Sequence, residues 1–157
     1  MLNGRCKGKV GTTNETTDDP GSLREEWLSR LSELVQSVQQ WAEERDWATR
    51  RIDKRMKDPI LGRYEAPALL MQKETTRVLL DPVSRFATGA DGLVDLYLMP
   101  AYDDIASIYF IKGQWRLRCT YPAGGVASRD EVDTTALCAE SLGRVLDGMI
   151  VHAESSL

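Results

Sequence analysis

The chain has 157 residues, 42% of them hydrophobic and 28% charged, and a formal net charge of −4. That length suits one domain whose core needs no disulfide or metal staple. The acidic balance argues against a dedicated nucleic-acid binder, which needs a basic footprint for phosphates. The cysteines Cys6, Cys119 and Cys138 are scattered without a CxxC pair, so neither a zinc site nor a redox dithiol is indicated. Free core thiols in a reducing compartment are the expectation. No apolar run reaches the roughly 18 residues of a membrane span. No hydrophobic segment follows Arg5, Lys7 and Lys9 to make a secretory signal, so the expected location is cytoplasmic and no membrane partner is expected.

Residues 1–21 offer little apolar surface beyond Met1, Leu2 and Val10, which predicts a disordered tail ahead of a single domain over 22–157. Ser22-Leu23-Arg24-Glu25 reads as a capping box. Leu23, Trp27, Leu31, Leu34, Val35, Val38, Trp41 and Ala42 then recur at helical spacing. Continuing the helix would put Arg45 on that apolar stripe. A stop near Asp46 is therefore expected, followed by an edge strand across about 47–56.

After Pro59 and Gly62 the period changes to two. Strands are predicted over 66–73 and 75–81, joined tightly at Glu74, with a turn at 89–92 and further strands over 93–99 and 105–111. Lys112-Gly113 makes a two-residue turn into a strand over 114–121. Such a turn sets Phe110 opposite Trp115, Tyr109 opposite Arg116 and Ile108 opposite Leu117. Ile108, Phe110, Trp115, Leu117, Cys119 and Tyr121 then share one face; Ser107, Tyr109, Gln114, Arg116, Arg118 and Thr120 share the other.

A loop with Pro122, Gly124 and Gly125 leads to Ser128-Arg129-Asp130-Glu131, a second capping-box pattern. Val132, Ala136, Ala139, Leu142, Val145, Leu146, Met149 and Ile150 make the stripe of a closing helix. Gly143 and Gly148 within it indicate close packing. The expected fold class is α+β: an N-terminal helix, an antiparallel β-meander of about five to six strands and a C-terminal helix, both helices on one sheet face. The expected core unites Trp27, Leu31, Val38, Leu96, Ile108, Phe110, Leu117, Leu142 and Leu146.

No motif names a reaction. With His152 as the single histidine, placed in a helix's last turn, a triad or zinc mechanism lacks its parts. No cofactor and no metal site is predicted. Tyr102, Asp103 and Asp104, in a loop before a strand, could serve a small-ligand site or an enzyme; Asp91 in its turn is a lesser candidate. Loop aspartates also commonly bond nearby backbone. Arg50, Arg51, Lys54, Arg55 and Lys57 form a basic run that could grip a phosphate or an acidic partner, or simply guard an edge. The open sheet face carries Asp95, Tyr97, Tyr109, Arg116 and Arg118, a composition favoured in protein interfaces, with the Tyr109 ring expected to stack on the Arg116 guanidinium opposite it. A solvated face using tyrosine for strand propensity is the plainer reading. The favoured function is a non-catalytic protein-binding domain of adaptor, chaperone or inhibitor type, with a homo-oligomer left open.

Overall fold

The computed structural model describes residues 19–119 and 134–155. In chain order they form α1 (Pro20–Glu43), β1 (Ala48–Asp58), β2 (Gly62–Lys73), β3 (Thr76–Ser84), β4 (Leu93–Met99), β5 (Asp103–Ile111), β6 (Gln114–Cys119), β7 (Thr135–Ala136) and α2 (Ala139–Ser155). The strands make one seven-stranded antiparallel meander in sequence order, with β1 and β7 at its edges. The expected α+β architecture is present, and the two-residue β7 raises the strand number to seven. Both helices bury their apolar stripes against one sheet face.

The first helix starts earlier than expected. Asp19, not Ser22, is its cap: the Asp19 carboxylate accepts from the Ser22 N–H at 3.1 Å. Pro20 suits the first helical position, where a missing N–H costs nothing. Pro20 and Gly21 thus belong to the helix rather than to a tail, and the proposed Ser22/Glu25 capping box does not form. Residues 1–18 lie outside the described residues. Trp27, Leu31, Leu34, Val35, Val38 and Ala42 are buried, and the helix ends at Glu43, near the expected stop. Asp46, at φ 68°, turns the chain into β1.

The β5–β6 register matches the sequence reading, pairing Ile111 with Gln114 through Ala106 with Cys119. Lys112 and Gly113 both have positive φ, 51° and 78°, the geometry of a type I′ hairpin turn. Phe110 is a correction. It faces the expected side but is only half-buried, lying against Trp115 at 4.9 Å between ring centroids. The Arg30 guanidinium covers it at 4.4 Å, so a charged helix side chain, not the core, caps this ring. The other eight expected core residues are buried.

The β1–β2 ribbon twists strongly. Near the sheet, odd-numbered Leu69 and Met71 face the core, whereas at its far end even-numbered Met56, Tyr64 and Ala66 do. The β1–β2 pairing is continuous between these ends, so twist turns the ribbon over, as two-stranded ribbons allow.

At the other end, the proposed capping box at Ser128–Glu131, Val132 on the proposed stripe, and Thr120 and Tyr121 fall outside the described residues. Ala136 lies in β7 rather than in the helix, and Ala139 is exposed at the helix start. Cys138, expected as a core thiol, is exposed, as is Cys119, and it caps α2 instead. Its carbonyl accepts from Leu142 N–H at 3.0 Å and its own N–H donates to Ser141 Oγ at 2.9 Å. A thiol thus stands where a serine or threonine hydroxyl would be expected. Leu142, Val145, Leu146 and Met149 bury the stripe. Gly143 admits close packing, as expected: a β-carbon there would lie 2.4 Å from Arg45 Cζ.

Candidate functional site

The sheet face turned away from the helices gathers the predicted residues. Cross-strand register pairs Leu79 with Tyr97, Asp81 and Ser107 with Asp95, Ser107 with Arg118, and Tyr109 with Arg116. Cross-strand partners share a face, so Asp95, Tyr97, Tyr109, Arg116 and Arg118 lie on one surface. All five are half-buried.

Their polar groups hold one another. The Asp95 carboxylate accepts from Ser107 Oγ at 2.7 Å and from Tyr97 Oη at 3.0 Å. Burial pushes the Tyr97 phenol well above its ordinary range, and the hydrogen bond and charge of Asp95 push it further. Lys54, from the basic run, is tied down here by Asp81 Oδ1 at 2.9 Å and the Pro82 carbonyl at 2.8 Å. Arg116 departs from expectation. Its guanidinium donates to Thr134, with Nε 3.2 Å from Oγ1 and Nη2 2.9 Å from the carbonyl. The cation–π contacts among the described residues are Arg30 over Phe110 and Arg85 over Phe86, so the expected Tyr109–Arg116 stack is absent.

The 102–104 loop divides. A β-bulge falls between Leu96 and Tyr97, which pair with Ala106 and Asp104 respectively. Ile105 is the extra residue, and it is buried. Without the bulge, Asp104 would point to the helix side with Ala106. With it, Asp104 joins Tyr97 on the outer face. Burial raises the Asp104 pKa above its ordinary value; Asp95 raises it further, and Arg118 pulls it back. Tyr102, at φ 61°, sets its ring edge against Tyr97 at 5.7 Å and remains 57% exposed. Asp103 parts from them and lines a cleft beside Ala153 and Glu154 of α2. The two candidate sets therefore merge, save for Asp103. Ser107, which the sequence places on this face without counting it in the site, belongs to the same surface, as do Asp81 and Thr134, which the sequence reading lacks. Strand alternation could have offered Asp81, whereas Thr134 needs the β6–β7 pairing.

The Asp91 carbonyl accepts from Arg85 at 3.1 Å, and His152 lies in the last turn of α2. Among the described residues, no group of three His, Cys, Asp or Glu side chains could hold a metal ion. No helix among them is long and apolar enough to cross a membrane. A cleft of about 440 Å³ opens between α1 and the β6–β7 edge, lined by Leu34, Trp41, Trp115 and Leu137 with Glu33, Ser37 and Gln114 at hand. It lies toward the opposite end of β5 from Asp103 and Asp104. No protein-family model, curated protein or solved structure matches the chain.

Proposed function

We propose that this is a non-catalytic protein-binding domain that docks a partner protein on the outer face of its sheet. One observation carries the reading: Asp95, Tyr97, Ser107 and Asp104 on adjacent strands, with Tyr102 from the turn between β4 and β5 set against Tyr97, form a contiguous set on the face that neither helix covers. Side chains already ordered by each other lose little freedom on binding, which favours affinity. Exposed tyrosine supplies contact area at low entropic cost. Asp95 and Asp104, with Arg118 acting on Asp104, give this face both signs of charge, so the fitting partner presents complementary charges among apolar side chains. The test is calorimetric titration of a partner recovered from the native host against wild type, Tyr102→Ala and Tyr109→Ala. Loss of about 2 kcal/mol or more in folded variants supports the reading. Unchanged affinity in both refutes it.

The Trp41–Trp115 cleft favours a second reading, an apolar small-molecule site, because its size and lining fall within the usual range for such pockets. A small apolar ligand that quenches tryptophan fluorescence saturably, and no longer does so in Trp41→Ala, would support it.

A further inference from the structure

The two edges of the sheet differ. At one end β7 spans two residues, whereas β1 at the other spans eleven. An edge strand leaves half of its backbone N–H and C=O groups pointing outward, and among the described residues nothing pairs with the outer side of β1. The same ribbon concentrates positive charge in a chain of net charge −4. Residues 48–65 hold six cations against three acids. Lys54 is consumed by Asp81. Arg50, Arg51, Arg55, Lys57 and Arg63 are exposed and form no ion pair among the described residues. Lys57 pairs across the ribbon with Arg63, and with Arg55 they line a cleft of about 450 Å³.

We propose that the free edge of β1 docks an extended acidic polypeptide, which joins the sheet as an additional strand. Successive side chains of a strand alternate between faces, so Arg51, Asp53, Arg55 and Lys57 share one row, three cations interrupted by one acid. A partner strand with acids opposite Arg51, Arg55 and Lys57 and an uncharged residue opposite Asp53 complements that row, while its backbone bonds the open edge. A second copy of this chain is a poor occupant. Antiparallel pairing of two β1 strands centred on Asp53 would set Arg51 opposite Arg55 and Asp53 opposite itself, and like charges directly opposite are destabilising. Nucleic acid is disfavoured for a different reason. It has no amide backbone for the strand edge to bond, and its uniform negative charge would meet Asp53 and Glu65 inside the patch. The cations that guard this edge against self-pairing thus select an acidic strand.

The surface is separate from the outer sheet face, so its test is independent. The full chain is titrated by fluorescence anisotropy with an eleven-residue peptide, the length of β1, carrying glutamate at alternate positions save for a serine at the centre, opposite Asp53. A copy N-methylated at alternate amides and a single-stranded oligonucleotide of similar charge serve as comparisons. The expected result is saturable, salt-sensitive binding of the plain peptide. Arg51→Glu with Arg55→Glu should weaken it about tenfold, with the fold confirmed by circular dichroism. N-methylation should abolish it in wild type, a readout that needs no variant to fold. No binding of the plain peptide, equal binding of the N-methylated copy, equal binding of the oligonucleotide, or indifference to charge reversal would each overturn the proposal.

Discussion

Two glycines offer the same clearance and should respond in opposite directions. A β-carbon on Gly92 would lie 2.4 Å from Trp27 Cζ3, and one on Gly143 would lie 2.4 Å from Arg45 Cζ. What differs is whether the neighbour can yield. Trp27 is 0% exposed, and its indole N–H donates to Tyr64 Oη at 3.1 Å. The Gly92 backbone is also held, because its carbonyl accepts from Phe110 N–H at 2.9 Å. Gly92→Ala must therefore force a packed core ring aside, and overpacking of this kind costs about 1–3 kcal/mol. Arg45 is a long side chain, 40% exposed, that gives up only an ion pair with Asp147 when displaced. Exposed pairs are worth about 0–1 kcal/mol, and alanine gains about 1 kcal/mol over glycine inside a helix. Gly143→Ala should therefore be neutral to slightly stabilising. Thermal melts followed by circular dichroism give the comparison, at about 2–4 °C per kcal/mol for a chain of this size. Gly92→Ala should melt clearly lower and Gly143→Ala level or higher. Shifts of the same sign and size would refute the claim that neighbour mobility decides the outcome.

Phe110→Ala should cost about 2 kcal/mol rather than the 3–5 of a fully buried ring, because part of its surface is already wet and an arginine caps it; urea midpoints for Phe110→Ala and Ile108→Ala, with Ile108 the larger loss, check this. Cys138 should alkylate faster than Cys119, since hydrogen bonds from Ser141 and Glu140 lower its pKa whereas burial raises that of Cys119. Ser141→Ala should slow Cys138 alkylation, as read by mass spectrometry of iodoacetamide-treated protein. Because the folded pKa of Asp104 is raised, the folded state holds its proton more tightly than the unfolded state does. Its stabilising contribution is present below the ordinary value of 3.8 and is lost as pH rises through the raised one. Relative to Asp104→Asn, wild type should therefore lose stability as pH rises through that window; parallel curves would contradict it.

Much of this fold is legible in the sequence because local and tertiary signals agree. The Lys112-Gly113 turn and the alternation around it specify the same register, and Arg45 on an apolar stripe marks the end of α1. Failures came where one residue alters what its neighbours mean. Asp19-Pro20 competes with Ser22-Glu25 as a helix start, and both patterns are plausible until the chain is folded. Cys138 is not an expected cap, so α2 was extended backward through Ala136. The bulge at Ile105 is silent in a pattern of alternate residues, yet it carries Asp104 across the sheet and joins two candidate sites that strict alternation keeps apart. The twist of the β1–β2 ribbon likewise reverses which parity faces the core.

The outer-face account is tested most directly by hydroxyl-radical footprinting of the chain alone and bound to its partner, reading oxidation residue by residue. Tyr97, Tyr102 and Tyr109 should be protected on binding, while Ile60 and Phe86, exposed elsewhere on the molecule, should react as before. If the three tyrosines oxidise equally in both states while protection falls on Trp41 and Trp115, the partner does not use this face.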